Sequence, residues 1–175
     1  MNAVTIRQSS PTFWNVKGHS FELAFFGVKS CDLHHLPMPR VKDLKIKSLR
    51  PYCTPKFQKS MYGFTPDNPQ TELGKFVFEK IKESLSEKDK GKLHMYCLLG
   101  SPADRMGADC SIQLRGKNKQ ALVDLTTNPK KQPADDDILI LHYNALMLAY
   151  SGQDSQYLDR FVQRIVDKLH PRIYG

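Results

Sequence analysis

The chain has 175 residues, 40% of them apolar and 25% charged, with 26 Lys and Arg against 18 Asp and Glu for a net charge of +8. That length suits one domain with a real core, the composition reads as a soluble globular protein, and no stretch approaches the length of apolar run that a membrane-spanning helix needs. The N-terminal MNAVTIRQSSPTFWNVKGHSF has neither a basic nor an apolar leader region, so no secretory signal is expected, and the irregularly spaced Cys31, Cys53, Cys97 and Cys110 read as free thiols of a cytoplasmic or other reducing intracellular compartment.

Residues 1–66 read as a basic extension of strands and loops. Phe13 to Val28 is rich in aromatic and β-branched residues around Gly18, which predicts a hairpin. Six of the eleven prolines fall between positions 37 and 69, so the chain is expected to cross the surface there in extended segments. Cys31, His34, His35 and Cys53 offer thiolate and imidazole, but without a second close pair at zinc-ligand spacing they read as ordinary core or surface residues. From Val28 to Ser60 eight basic residues face only Asp32 and Asp43. Lys42, Lys45, Lys47, Arg50, Lys56 and Lys59 are the candidate nucleic-acid contacts, with Tyr52, Phe57, Tyr62 and Phe64 available to stack on bases. A solvated loop or a surface for an acidic protein partner would carry the same charge.

A helix is predicted next, with Asn68 as cap and Pro69 at its first position. Leu73, Phe76, Val77, Ile81 and Leu85 recur at helical spacing, opposite Lys75, Glu79, Lys82 and Glu83. After a polar break at 86–92, Leu93 to Gly100 suits a strand buried on both faces. Beyond the next hairpin, Asp135, Asp136 and Asp137 favour a helix start, so ILILHYNALMLAY is expected to form a buried helix ending at Gly152. On that helix Asp137, Asn144 and Ser151 would make a polar stripe. Residues 153–175 are assigned to a closing amphipathic helix centred on Ser155 to His170.

The chemistry is concentrated in GADCSIQLRGKNKQALVDLTTNPKK. Asp109, Ser111, Gln113 and Arg115 alternate with Cys110, Ile112 and Leu114; after the turn Gln120, Leu122, Asp124 and Thr126 alternate with Ala121, Val123 and Leu125. Both aspartates therefore share a face of a two-stranded hairpin. With Lys117-Asn118 as a two-residue loop, Asp109 lies opposite Thr126 and Ser111 opposite Asp124, which makes the carboxylates diagonal neighbours about 7–8 Å apart at the backbone. Such a pair suits a hard divalent cation, Mg or Mn; a hairpin with one wet face would show the same alternation.

The order helix, strand, strand with Asp109, strand with Asp124, helix resembles the core of the PD-(D/E)XK nuclease-like superfamily over roughly Asn68 to Gly152. The resemblance implies an α/β fold, a central mixed sheet flanked by helices with a restriction-endonuclease-like core at 67–152. It also implies Asp109 and Asp124 as ligands of Mg or Mn, and activity on DNA or RNA. Ala108 stands where the motif often has proline, and Thr126 stands where it has a water-activating lysine. Lys130, or Lys131, is the candidate to reach back in its place; the family often contributes a glutamate from its first helix, but Glu72, Glu79 and Glu83 lie on the side away from the apolar stripe and face water if that stripe faces the sheet. Two functions follow: a metal-dependent nucleic-acid phosphodiesterase, or a non-catalytic nucleic-acid-binding or protein-interaction module on a degenerate scaffold. A Cys97 or serine hydrolase is disfavoured, because no nucleophile turn is present and His94 and Cys97 would point to opposite faces of a strand.

Overall fold

The computed structural model describes residues 18–170. Among the described residues six helices precede the sheet, beginning with α1 (Gly18–Phe26), the short α2 (Ser30–Leu33) and α3 (Ile46–Leu49), and α4 (Pro55–Tyr62). Then follow α5 (Glu72–Glu83), α6 (Glu87–Lys90), β1 (Leu93–Cys97), α7 (Pro102–Arg105), β2 (Cys110–Leu114), β3 (Gln120–Thr126), β4 (Ile138–His142), α8 (Tyr143–Tyr150) and α9 (Gln156–Leu169). The strands form one mixed sheet in the order β1-β2-β3-β4, antiparallel across the first two pairs and parallel between β3 and β4. The α/β class and the mixed sheet flanked by helices are thus as expected. No helix among the described residues is long and apolar enough to cross a membrane.

One sheet face carries the main core. Met95, Cys97, Ile112, Val123, Leu125 and Leu141 pack there with residues of α1, α5, α8 and α9. α9 reads in the structure as it does in the sequence, burying Leu158, Phe161, Val162, Ile165 and Leu169 at helical spacing. α5 starts later than expected. Thr71, not Asn68, is its cap, because the Thr71 hydroxyl accepts from the Gly74 N–H at 3.0 Å while donating to the Phe25 carbonyl at 2.6 Å. Gly74 lets α5 come this close to α1: a Cβ there would sit 2.6 Å from the Phe25 carbonyl oxygen.

The second face was expected to be either a metal-bearing or a wet surface of the hairpin. It is covered. Leu98, Leu122 and Ile138 pack against Leu49, Tyr52, Ala103 and Ala108. Gln58, fully buried, completes the edge of β1 by donating to the Tyr52 and Cys97 carbonyls (2.8 and 2.9 Å) and accepting from the Cys97 N–H (2.8 Å). At the β1 edge a side-chain amide thus pairs Cys97, and the Pro66 carbonyl accepts from the Met95 N–H at 2.9 Å.

Three expected elements differ. The hairpin over Phe13–Val28 is helix α1 over its described part, with Phe21 and Phe25 in the core; residues 13–17 lie outside the described residues. Over its described residues, 18–66, the extension is accordingly helical rather than β-rich wherever it is regular. The helix expected from Asp135 to Gly152 is strand β4 followed by α8, since Ile138–His142 pairs in parallel with Leu122–Thr126 before the chain turns helical. Asp137, Asn144 and Ser151 therefore form no common stripe, and Asp137 instead pairs with Lys168 at 3.6 Å.

Candidate metal centre

The β2–β3 turn sets the geometry. Gly116, at φ +81°, allows the Lys117 N–H to bond the Leu114 carbonyl at 3.0 Å, and the strands pair Cys110 with Val123, Ser111 with Leu122 and Gln113 with Gln120. This register is two residues from the expected one. A two-residue shift preserves every face, so the shared side of the aspartates survives, and Asp109, just before β2, comes beside Val123–Leu125 of β3 rather than opposite Thr126. The Asp109 N–H donates to the Val123 carbonyl at 2.8 Å, and Asp109 Oδ2 accepts from the Leu125 N–H at 2.8 Å. Both side chains are buried, Asp109 at 2% exposure and Asp124 at 4%.

Two further carboxylates converge on Asp109. Glu22, from α1, and Asp104, from the one-turn α7, each place an oxygen such that the three ligand atoms of Glu22, Asp104 and Asp109 lie within 4.8 Å of one another. Asp104 is fixed by the Gly100 N–H, which donates to its Oδ2 at 2.8 Å, and by α7, capped by the Ser101 hydroxyl. Gly107 enables the turn into Asp109 with φ +101°, where a Cβ would meet that of Ala134 at 2.8 Å.

The electrostatics follow from crowding. Burial pushes the Asp109 carboxyl up to about 11, with the neighbouring carboxyls of Asp104, Glu22 and Asp124 adding to it. Burial, then the charges of Asp104 and Asp124, raise Glu22 to about 7. Without a cation the cluster keeps a proton, because carboxylates this close do not all ionise. The donor set is oxygen only, which is what Mg²⁺ and Mn²⁺ take. With metal–oxygen distances of about 2.1 Å, ligands on one octahedral ion are at most about 4.2 Å apart, so the three carboxylates need only a small contraction to close on one ion.

Of the sequence candidates, Asp109 and Asp124 are brought together and Lys130 is not. Lys131 is the cation that reaches back: its Nζ lies 2.9 Å from Asp124 Oδ2, and the Asp124 hydrogen bond and charge hold its ammonium above the usual lysine range. Glu72, Glu79 and Glu83 are exposed on α5, with Glu72 accepting from the Tyr150 hydroxyl at 3.1 Å. The helix glutamate of the site is Glu22, which the hairpin reading of its segment hid. Asp104 has no signal in the sequence, because SPADRMG shows neither a strand nor a helix period and its helix is a single turn.

Lys42, Lys45, Lys47, Arg50, Lys56 and Lys59 are all exposed. The aromatic residues among them are not available for stacking: Tyr52, Tyr62 and Phe64 are buried, Tyr62 donating to the Leu99 carbonyl at 2.8 Å, and Phe57 is half-buried between Tyr52 and Tyr62. Cys97 is buried in the core, so its thiol offers no nucleophile. Comparison with protein-family models, curated proteins and solved structures gives no match to this chain.

Proposed function

We propose that this protein is a divalent-metal-dependent phosphodiesterase acting on nucleic acid, with a core of the PD-(D/E)XK nuclease-like, restriction-endonuclease-like kind. The observation that carries the reading is the convergence of Glu22, Asp104 and Asp109 within 4.8 Å beside Asp124 and Lys131. Four carboxylates from three helix and strand elements and a connecting turn form an expensive arrangement for a cation-free protein, and a cheap one around Mg²⁺ or Mn²⁺.

Glu22, Asp104 and Asp109 would hold the ion, with Asp124 at its flank. When bound, the metal supplies a water of lowered pKa and polarises a phosphate oxygen. Asp124 orients the Lys131 ammonium at the rim, where it can balance the charge that builds on the phosphoryl oxygens. Lys131 thereby takes the part that the motif gives to a lysine at the position of Thr126, which is buried at 5% exposure and carries no charge. The exposed lysines of the 42–59 segment supply attraction for the phosphate backbone.

The test is cleavage of single- and double-stranded oligonucleotides with Mg²⁺ or Mn²⁺. Asp109→Ala and Asp124→Ala should abolish cutting while oligonucleotide binding persists. Full activity in both variants would sink the reading, and binding without cutting by the wild type would favour the non-catalytic module.

A further inference from the structure

Part of the basic 42–59 segment meets a basic residue from elsewhere in the chain. Lys45, Lys47 and Arg50 line a cleft of about 450 Å³ together with Asn118, Lys119 and Gln120 from the β2–β3 turn and the start of β3. Four cations thus meet from two segments far apart in sequence, and no carboxylate is among the residues lining the cleft. The two segments are fastened to each other. Gln120 Nε2 donates to the Leu44 carbonyl at 2.6 Å, and the buried Ser111 hydroxyl donates to Gln120 Oε1 at 2.8 Å. The Lys45 backbone is therefore held against β3.

The nearest acid on the segment, Asp43, is committed to the local turn, accepting from the Ser48 hydroxyl and from the Lys45 N–H. It lines a neighbouring cleft of about 610 Å³ with Asp135, Asp137 and Asp167 against only Lys45 and Lys168. An anion is thus repelled from the larger cleft and attracted to the smaller one. Arg50 can bind a phosphate through two donors, the lysines act as mobile point charges, and the Asn118 amide adds a donor.

We propose that Lys45, Lys47, Arg50 and Lys119 form a binding cleft for phosphates of a nucleic-acid strand, away from the phosphate that is cut. The assignment rests on the phosphodiesterase reading for its ligand class. Gln120 and Asp124 share a face of β3 and lie about 13 Å apart along it at about 3.3 Å per residue, so the cleft sits on the same side of the strand as the carboxylates. The β2–β3 turn is a part of the site that the basic run in the sequence does not contain.

The test is fluorescence anisotropy of a labelled single-stranded oligonucleotide in EDTA, over a range of salt concentrations. It compares wild type, Lys47→Glu/Lys119→Glu, and a control of equal charge change on α5 and α6, Lys75→Glu/Lys88→Glu. The cleft variant should bind at least about ten-fold more weakly, with the slope of log affinity against log salt shallower by about 1.4, two contacts at about 0.7 each. The control should stay within a few-fold of wild type, and Lys47→Arg/Lys119→Arg should restore binding. Equal weakening in both charge-reversed variants, wild-type binding by the cleft variant, or no binding by the wild type overturns the cleft. Competition by poly-glutamate as effective as by unlabelled oligonucleotide also overturns it, in favour of an acidic protein. If Mn²⁺ gives no cutting but the cleft variant alone loses binding, the phosphodiesterase reading fails and the cleft stands. If the wild type cuts and the cleft variant cuts with an unchanged KM, the cleft fails and the phosphodiesterase reading stands.

Discussion

Replacing Asp109 with asparagine should remove a pH dependence from the stability of the metal-free protein. The carboxyl has an ordinary value of 3.8 and is held near 11 in the fold, so between those limits the folded chain keeps a proton that the unfolded chain has released. A raised acid of this kind stabilises fully below about 3.8, and its contribution is lost as pH climbs toward the folded value. The slope is about 1.4 kcal/mol per pH unit for one proton, so about 3 kcal/mol disappears between pH 6 and pH 8. For a domain of this size that corresponds to a fall in Tm of roughly 5–10 °C. Asp109→Asn keeps an oxygen that can accept the Leu125 N–H and has nothing to titrate. Urea denaturation in EDTA at about pH 6, 7 and 8 would compare the wild-type Asp109 with the variant, each carrying Glu22→Gln so that the neighbouring carboxyl near 7 does not titrate, and the difference cancels the groups not coupled to Asp109. The protein with Asp109 should lose about 3 kcal/mol relative to the variant across that range. Two stability profiles that run parallel would mean Asp109 is ionised in the fold, and the electrostatic reasoning for the cluster would be wrong.

Lys131→Met should lower kcat by about 10²–10³-fold if its ammonium faces developing phosphoryl charge, whereas Lys130→Met should stay within a few-fold; equal effects would remove Lys131 from the site. Gly74→Ala should cost about 1–3 kcal/mol in chemical denaturation, because the new Cβ meets the Phe25 carbonyl, and should also weaken metal binding by displacing α1 and with it Glu22. Gln58→Leu should cost about 2–4 kcal/mol by leaving the Cys97 N–H and carbonyl and the Tyr52 carbonyl unpaired at the β1 edge, and a loss below about 1 kcal/mol would show that water replaces the amide there.

The aspartate hairpin was legible because strand alternation is a strict period of two. Any register that keeps parity puts Asp109 and Asp124 on one face, so the sequence conveyed the side but not the spacing, which depends on the αL conformation of Gly116. α9 was legible for the same kind of reason, a 3.6-residue period with no competing signal. Gly18–Phe26 was not, because Phe21, Phe25 and Phe26 are buried on one side while aromatic content alone argues for a strand. That one misreading concealed Glu22, half of the difference between an aspartate pair and a cation-shaped cluster. β4 was hidden because a short apolar run buried in a parallel sheet has no period of its own and ran directly into α8. The buried aromatics of the 52–64 stretch show the converse. Their proximity to lysines in sequence says nothing of their direction: Tyr52 points inward to the cover over the second sheet face, and Tyr62 and Phe64 point into the main core.

Calorimetric titration of Mn²⁺ into wild type, Glu22→Gln and Glu79→Gln at about pH 7.5 tests the central claim most directly, because Glu22 belongs to the cluster through the fold alone and Glu79 is an exposed glutamate on the neighbouring helix. Wild type and Glu79→Gln should bind Mn²⁺ with the same affinity and Glu22→Gln about 10–100-fold more weakly, in line with the loss of one charged ligand. Absence of Mn²⁺ binding by the wild type, or equal affinity in all three proteins, would contradict a metal centre built from Glu22, Asp104 and Asp109.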